Sequence, residues 1–410
     1  MIRIDKFIPG GEALATEESG KKIFLWNALP GEEVIEYQFT KQKSHFSEAI
    51  AQSIGSPSPH RVAPKDSCFL STSPWQILDY DYELSVKQDL VVELFREHQI
   101  TIPRPPIFTD HRDYFYRNKM EYALYWDHDT GSISLAFHER GSHRKIPITS
   151  SSIERPEIFA AATKIVADLN ARHEEARKYQ SLLLRCNQAG EVSGGLLENG
   201  KSHPVFPQLT DEILGHTYSY SPNGFFQINL PVYEMALTEI KKHIVTEDVL
   251  DLYSGVGTIG LSVASNKNLT LVEVNKSAYG ELVKNCEMMH SGRVVSLEGD
   301  PHEPERVGED KGRQDPPSIR PVLSKSEDVL DFITSGHTVI LDPPRAGCDS
   351  KLLDKLLEKL PPKIIYLSCN PATEARDVKI LLEKYHIEDV KIFNFFPHTP
   401  HIENLIVLSL

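Results

Sequence analysis

Residues 249–258 read Val-Leu-Asp-Leu-Tyr-Ser-Gly-Val-Gly-Thr, an apolar stretch that runs into a turn with two glycines. Glycine allows a tight turn with the backbone close to a ligand, because it carries no Cβ atom. Glu273 ends the next apolar stretch about 20 residues further on, where a carboxylate can accept hydrogen bonds from both hydroxyls of a ribose. Together these features predict a nucleoside cofactor, and at this point NAD and S-adenosylmethionine both fit.

From about residue 216 onward, apolar stretches alternate with stretches of helical spacing. Strands are predicted over 249–253, 269–274, 338–341, 364–367, 390–395 and 404–410, and helices over 276–289, 350–359 and 373–384. Such alternation is typical of a parallel sheet with helices on both faces, in which ligands bind at the carboxyl ends of the strands. Residues 299–322 are dense in proline, glycine and charge, and they predict a mobile surface loop.

The first half of the chain has a different pattern. Short apolar stretches separated by glycine turns predict a small β module over residues 1–55, and the serine–proline stretch 56–60 reads as a linker. Helical spacing follows at 83–98, and a mixed, strand-rich pattern extends to about residue 215. The predicted domains are therefore 1–60, 61–215 and 216–410, with helix 83–98 packing on the last of them.

Composition limits the classes of function. The chain has 410 residues, and no stretch approaches the roughly 20 apolar residues of a membrane helix. No signal peptide is recognisable, so a cytoplasmic protein without membrane contact is expected, as a monomer. Its five cysteines are widely spaced (68, 186, 286, 348 and 369), which disfavours both a disulfide framework and a cysteine metal site. The net charge of −14 opposes nucleic-acid binding unless positive charge is gathered on one face.

Two predicted strands end in reactive sequences. Strand 338–341 runs into Asp342-Pro-Pro-Arg345, and strand 364–367 runs into Ser368-Cys-Asn-Pro371. Consecutive prolines stiffen the loop that follows Asp342. The thiol of Cys369 lies before a predicted helix, whose amino end should favour its ionised form. Before the last strand, residues 396–403 offer a carboxylate and two histidines as proton acceptors at the same sheet edge.

These residues together resemble the RNA 5-methyluridine methyltransferases. The motifs that carry the resemblance are Asn223–Asn229, Asp251–Gly257, Asp342–Arg345, Ser368–Thr373 and Phe396–Glu403, with Tyr116–Glu121 and Phe137–His143 upstream. The amino-terminal module is similar to the TRAM domain, an OB-like β barrel that binds RNA in this family. The implied fold class is α/β: a Rossmann-like methyltransferase domain with an amino-terminal OB-like barrel and a central mixed α+β domain.

The resemblance also implies roles for individual residues. Cys369 would add to C6 of a uridine, so that C5 can accept a methyl group from S-adenosyl-L-methionine, and Glu403 would then remove the C5 proton. The cofactor would be lined by a set spread along the catalytic domain: Gln227, Tyr253, Gly255, Glu273 and Asp342. Either Asp300 or Glu327 could contact its adenine. The target base must be flipped or single-stranded to reach such a pocket.

The chain departs from many family members, which bind an iron–sulfur cluster through four cysteines after the TRAM domain. Here residues 66–76 keep only Cys68, and a further cysteine position is Ser151 or Ser152. No iron–sulfur cluster is therefore expected, and Pro74 and Trp75 are predicted to fill its place.

RNA is the expected partner, with ribosomal RNA favoured over transfer RNA. Two locally basic stretches interleaved with aromatic residues predict the RNA-binding surface, through Arg117, Lys119, Arg140 and Arg144. Positive charge is expected to gather on the central domain beside Cys369.

Three alternatives stay open on the sequence. A cytosine-C5 RNA methyltransferase also attacks C6 with a cysteine, although its cysteine motifs differ. An adenine amino-methyltransferase would hold the exocyclic amine with Asp342-Pro-Pro and leave Cys369 idle. A non-catalytic RNA-binding or chaperone protein could retain the fold, although the Cys369 and Glu403 pair argues against it.

Overall fold

The computed structural model describes residues 1–202, 204–289 and 317–410. They form two compact units. Unit 1 comprises Met1–Leu94, Thr109–Pro207 and Asn394–Ile402, and unit 2 comprises Phe95–Phe108, Gln208–Phe393 and Glu403–Leu410.

The elements follow the chain in this order. The strands are β1 Ile2–Phe7, β2 Ala13–Thr16, β3 Lys22–Trp26, β4 Glu33–Gln42, β5 Phe46–Ser56, β6 Ile107–Phe108, β7 Lys119–Asp127, β8 Ser132–His138, β9 Lys145–Pro147, β10 Tyr179–Cys186, β11 Val192–Glu198, β12 Leu209–Ile213, β13 His216–Tyr220, β14 Asp248–Leu252, β15 Asn268–Glu273, β16 Ile319–Leu323, β17 His337–Leu341, β18 Lys363–Ser368, β19 His386–Phe393 and β20 Glu403–Ser409. The helices are α1 Phe69–Thr72, α2 Tyr80–Glu97, α3 Pro156–Ala171, α4 Leu230–Lys241, α5 Thr258–Ala264, α6 Lys276–Met289, α7 Ser350–Lys359 and α8 Pro371–Leu381.

Unit 1 begins with a closed barrel of strand order β1-β2-β3-β5-β4. Burial alternates along β2 and β3, as expected for strands with one face toward a barrel interior. This confirms the predicted OB-like barrel at the amino terminus. The strand-rich stretch that follows forms a sheet of order β11-β10-β7-β8-β9, and α3 packs against β8 and β10.

The sheet of unit 2 has eight strands in the order β16-β15-β14-β17-β18-β20-β19-β6. β14 lies between β15 and β17 and is parallel to both. The chain therefore proceeds outward in one direction through β15 and β16, and in the other through β17 and β18. Such a reversal of strand order opens a crevice at the carboxyl ends of the central strands. The predicted Rossmann-like catalytic domain is confirmed.

The sheet is not parallel throughout, contrary to the sequence-based expectation. β20 is antiparallel to both β18 and β19, because the chain returns from β19 through a short connection rather than a crossover helix. This reversal brings the start of β20 to the edge at which β18 ends.

The predicted loop 299–322 is wrong at its carboxyl end. Residues 319–323 form β16, which pairs in parallel with β15, and residues 299–316 lie outside the described residues. Pro321 lies within this strand although proline has no N–H to donate. β16 is the outermost strand on its side of the sheet, where a missing donor is tolerated.

Candidate active site

The glycine turn that follows β14 can be built only with glycine at its second position. Gly257 has a φ of 89°, in the left-handed region, and forms the amino cap of α5. A Cβ atom at this position would lie 2.5 Å from Cδ1 of Leu282. The residue thus combines a backbone conformation and a close approach that other residues do not tolerate.

Glu273 lies against this turn, as its spacing predicts. Its Oε2 accepts a hydrogen bond of 2.8 Å from the backbone N–H of Gly255, and its Oε1 accepts one of 2.6 Å from Asn275. The structure therefore brings together two of the predicted cofactor residues, Glu273 and Gly255.

A second carboxyl, Asp251, supports the turn from behind. It accepts a hydrogen bond of 2.9 Å from the N–H of Gly260. Burial raises the pKa of Asp251 to about 8, and the nearby carboxylates of Asp342 and Glu273 act in the same direction. A Cβ atom on Gly260 would lie 2.7 Å from Asp251 Oδ2, so this glycine in α5 lets the helix pack closely against β14.

Tyr253 directly follows β14 and has a φ of 66°, which turns the chain away from the strand. Its hydroxyl donates a hydrogen bond of 2.9 Å to Oε1 of Glu327. This contact brings one of the two candidate adenine contacts, Glu327, next to a predicted cofactor residue. The other candidate, Asp300, lies outside the described residues.

Gln227 is buried in the segment between β13 and α4. Helix α6 holds the start of this segment, since Oε1 of Glu281 accepts hydrogen bonds from the backbone N–H and the hydroxyl of Ser221. Asn285, one helical turn later, donates 2.9 Å to the carbonyl of Val256 in the glycine turn. Neither Glu281 nor Asn285 was predicted from the sequence, because a polar helix face looks the same whether it meets solvent or packs against another segment.

The predicted nucleophile and the predicted base lie at the ends of neighbouring strands. Ser368, the last residue of β18, is paired with Asn404 on the antiparallel β20. Cys369 and Glu403 are the next residues outward on the two strands, so they stand at matching positions at the carboxyl edge of β18. Glu403 is buried, whereas Cys369 is partly exposed.

The thiol of Cys369 is not activated in the free protein, contrary to the expectation from the helix that follows. Burial raises its pKa to about 11, and the carboxyls of Glu403 and Asp342 add to the effect. Helix α8 begins at Pro371, but its amino end is already occupied, because Asn370 Oδ1 accepts from the N–H of Ala372. The helix terminus therefore does not outweigh the carboxyls and the loss of water around the thiol.

Arg345 is the cation that opposes these effects. It hydrogen-bonds to Cys369 and lowers the pKa of that thiol. It also works against the burial and the Asp342 charge that hold the pKa of Glu403 well above its usual range. Burial also raises the pKa of Asp342, to about 7. The motif Asp342–Arg345 contains this arginine, but residue spacing alone assigned it no role.

The loops after β17 and β18 are tied to each other. Asn370 Nδ2 donates 2.8 Å to the backbone carbonyl of Arg345, and the hydroxyl of Thr373 donates 3.2 Å to the same oxygen. These bonds connect the loop of Arg345 to the one that carries Cys369.

In unit 1, a buried polar network occupies the region where the resemblance had placed cluster cysteines. Oδ2 of Asp66 accepts hydrogen bonds from the hydroxyl of Ser152 at 2.7 Å and from Nε2 of Gln76 at 2.8 Å. Pro74 and Trp75 are buried beside it, and the indole of Trp75 donates 3.0 Å to the carbonyl of Gly11. Among the described residues, no group of three metal-ligating side chains comes together.

The segment of unit 1 that precedes Glu403 is held by buried charges. Both carboxylate oxygens of Glu83 accept from the N–H of His398, at 3.0 and 2.9 Å. Lys87 forms an ion pair of 2.8 Å with the same glutamate and donates to the carbonyl of Phe396. The backbone N–H of His398, one of the two histidines of the motif, thus helps to fix the segment.

The four predicted RNA-binding residues belong to unit 1 and differ in their contacts. The guanidinium of Arg140 stacks 4.0 Å from the centroid of the Trp26 ring, and its Nε donates to the carbonyl of Leu70. Arg144 is exposed and ion-paired with Glu139.

Arg117 and Lys119 are two residues apart in the chain, and both are half-buried. Nε of Arg117 donates 2.9 Å to the carbonyl of Lys119. Burial lowers the pKa of Lys119 to about 8, and the cations of Arg185 and Arg117 contribute to the shift. The assignment of these four residues to RNA stays a prediction.

The fold and the strand-end residues define the class of protein, a Rossmann-like methyltransferase. Residues 212–410 match the family model described as tRNA (Uracil-5-)-methyltransferase. This confirms the predicted family and enzyme class. Among the helices of the described ranges, none has the length and hydropathy needed to cross a membrane.

Relatives extend the likeness over most of the chain. An uncharacterized RNA methyltransferase of Synechocystis sp. is 27% identical, and the match covers 94% of this chain and 90% of the relative. One from Prochlorococcus marinus is 28% identical over 93% of this chain and 99% of its own. A crystal structure of the Pyrococcus abyssi tRNA (uracil-54, C5)-methyltransferase, in complex with S-adenosyl-L-homocysteine, matches with a TM-score of 0.75 and 22% identity over 100% of both chains, which supports the fold.

Proposed function

We propose that this protein methylates C5 of a uridine in RNA with S-adenosyl-L-methionine as methyl donor, using Cys369 as nucleophile and Glu403 as base. The observation that carries the proposal is the register of β18 and β20, which sets the thiol and the carboxyl at matching positions of one sheet edge. Both residues lie in the segment that matches the family model.

The residues around the glycine turn suit the proposed cofactor. Gly257 leaves a surface that a Cβ atom would fill, and Glu273 offers a carboxylate at the end of β15 for ribose hydroxyls. Gln227, Tyr253, Gly255 and Asp342 would line the rest of the site. When bound, the cofactor supplies an electrophilic methyl group on a positively charged sulfur.

Cys369 would start the reaction on the base. Its Sγ, once it has lost its proton, adds to C6 of uracil, the C5–C6 double bond opens, and the electrons spread over C5 and O4. C5 then becomes nucleophilic enough to take the methyl group. Arg345 would favour the thiolate, because its positive charge opposes the carboxyls that raise the pKa of Cys369.

Glu403 would finish the reaction. Its carboxylate takes the proton from C5, the C5–C6 double bond re-forms, and the bond between C6 and Sγ breaks to release Cys369 as a thiolate. Burial holds the pKa of Glu403 high, so the proton is accepted readily once the carboxylate has formed.

RNA would be bound by unit 1, through a barrel that we assign to the TRAM type and through Arg117, Lys119, Arg140 and Arg144. Ribosomal RNA is one substrate to test, because the sequence-based expectation favours it. Transfer RNA is the other, because the family model and the Pyrococcus abyssi protein are both described by transfer RNA. Unmodified transcripts of each class, offered separately with methyl-labelled cofactor, distinguish the two.

A covalent trap tests the chemistry. In RNA that contains 5-fluorouridine, the fluorine at C5 does not leave as a proton does, so the protein should remain bonded to C6 after methyl transfer. We expect a denaturant-stable complex of protein and RNA that needs both Cys369 and the cofactor. A Cys369→Ala protein that still methylates uridine would refute the mechanism, and a complex formed only with 5-fluorocytidine would indicate a cytosine enzyme.

A further inference from the structure

A phenylalanine on the surface of unit 1 has an unfavourable backbone conformation. Phe115 is 44% exposed, and its φ is 56°, in the left-handed region. That region is rarely adopted by a bulky side chain, because the Cβ atom crowds the backbone. An exposed apolar residue by itself is common. An exposed aromatic ring that is also held in a strained conformation needs a further explanation, because such strain is often found at functional sites.

The neighbours of Phe115 hold it in this conformation. The backbone N–H of Phe115 donates a hydrogen bond of 2.9 Å to the carbonyl of Ser152. The next side chain, Tyr116, is buried, and its hydroxyl donates 3.0 Å to the carbonyl of Pro397. The chain is thus fixed at residues 115 and 116, with Tyr116 in the interior and the ring of Phe115 at the surface.

Two further side chains extend this surface. Nζ of the exposed Lys65 lies 4.0 Å from the ring centroid of Tyr114 and 5.4 Å from that of Phe115. The ring of Tyr114 also lies 4.3 Å from the imidazole of His398, centroid to centroid. We call Lys65, Tyr114 and Phe115 the aromatic platform.

The charges near the platform favour a base over a phosphate as its occupant. Lys65 acts on the carboxylate of Asp113, the residue before Tyr114, and lowers its pKa. The two opposite charges oppose each other, so the platform offers aromatic rings rather than a strong positive field. Nucleobases stack on such rings, while phosphates require cations close by, such as the predicted RNA-binding residue Arg117 two positions further on.

We propose that a nucleobase of single-stranded RNA stacks on Phe115, with Tyr114 and Lys65 as its support. The left-handed φ then serves to present the ring to the base. This inference rests on the proposed function, because it needs RNA as the substrate. It adds a base-binding surface to the four basic residues already assigned to RNA, and it does not depend on the chemistry of Cys369 and Glu403.

The experiment separates base stacking from attraction between charges. Binding of an end-labelled single-stranded RNA of about 12 nucleotides is compared with binding of labelled inorganic polyphosphate, which carries negative charge but no bases. Wild type, Phe115→Leu and Phe115→Tyr are measured by fluorescence anisotropy. Tyr82→Leu is the matched control, since Tyr82 is another half-buried aromatic residue of unit 1 whose ring is already stacked on His60 at 3.9 Å.

Loss of the aromatic ring should weaken binding of the RNA by about fivefold or more and leave binding of polyphosphate unchanged. Phe115→Tyr should bind RNA as the wild type does, and Tyr82→Leu should bind both ligands as the wild type does. Wild-type RNA affinity in Phe115→Leu overturns the inference, and so does an equal loss for RNA and polyphosphate. Thermal melting verifies folding, and Phe115→Gly, which relieves the left-handed φ, replaces the leucine variant if that one is unfolded.

A tryptophan at the same position reports stacking directly. In Phe115→Trp, the RNA should quench the emission of the added indole, and polyphosphate should not. Wild type gives the background from the three native tryptophans. Absence of additional quenching at saturating RNA contradicts the inference. If the wild type binds no RNA, the RNA substrate of the proposed function fails as well, whereas RNA binding without a 5-fluorouridine adduct refutes only the proposed chemistry.

Discussion

Cys369, which directly follows β18, and Glu403, the first residue of the antiparallel strand β20, each lie one residue beyond the pair of Ser368 and Asn404. A thiol and a carboxyl at one sheet edge suit a reaction in which a nucleobase is first attacked by the thiol and then loses a proton to the carboxylate. Because burial raises the pKa of both groups in the free protein, the charges around them help to decide when each can act.

Replacement of the base should separate the two halves of the reaction. In Glu403→Gln, Cys369 can still add to C6, but no carboxylate is available to remove the C5 proton. We expect the methylated adduct with ordinary uridine RNA to accumulate, and turnover to fall by at least about 100-fold. Denaturing gels and release of tritium from C5 measure the two effects, and full tritium release by this variant would show that another group is the base.

Removal of the cation beside the thiol should lower its reactivity. Arg345→Gln removes the positive charge that opposes the raised pKa of Cys369, so less thiolate is present at any pH. Alkylation by iodoacetamide at pH 8 should be slower by about threefold or more, whereas Arg345→Lys should largely preserve it. Cys369→Ala gives the background from the four buried cysteines. Equal rates in wild type and Arg345→Gln would contradict the assignment.

Asp251 should make the protein less stable as the pH rises. Its pKa is raised from 3.8 to about 8, so the folded protein binds this proton more tightly than the unfolded chain. The stabilisation of the folded protein by this proton is complete below about pH 4 and is lost as the pH rises toward 8. Asp251→Asn keeps an acceptor for Gly260 and should show a flatter decline of the unfolding free energy. Asp354→Asn, on the exposed face of α7, should retain the wild-type slope in urea titrations.

Alanine at Gly257 should destabilise unit 2. The new Cβ atom would lie 2.5 Å from Cδ1 of Leu282, and the alanine would have to adopt a left-handed φ. We therefore expect the unfolding free energy to fall by about 2 kcal/mol or more. Gly280→Ala is the control, because no atom lies within 4 Å of a Cβ at this position in helix α6. That change should raise the unfolding free energy by up to about 1 kcal/mol. Similar stability of the two variants would show that the turn relaxes around the added methyl group.

The two arginines of the basic stretch 140–145 should respond differently. Arg144→Ala should weaken RNA binding and reduce its salt dependence, with little change in the melting temperature, because Arg144 is exposed. Arg140→Ala should in addition lower the melting temperature, since it removes the stacking on Trp26 and the hydrogen bond to Leu70. Filter binding over a salt series and thermal melting measure both. If the RNA affinity is the same in both variants as in the wild type, the RNA binds elsewhere on the protein.

Local sequence was sufficient for the elements and for the chemistry of individual residues. Period and turn residues predicted helices 276–289 and 350–359 as they occur. They also predicted six of the eight strands of the sheet in unit 2 to within about four residues, but not β6 or β16. The motifs singled out Cys369 among five cysteines, because its neighbours Ser368, Asn370 and Pro371 end a strand and start a helix. The sequence failed at β16, where a proline hid an edge strand.

Only the tertiary structure decided how these residues act on one another. Strand direction is not encoded in the alternation of apolar residues, so the antiparallel return of β20 and the match of Cys369 with Glu403 required the sheet itself. The ionisation of the thiol was predicted from the helix that follows it. In the fold, burial and the charges of Asp342, Arg345 and Glu403 determine it instead. Electrostatic effects depend on distance in space and on exclusion of water, neither of which can be read from neighbours along the chain.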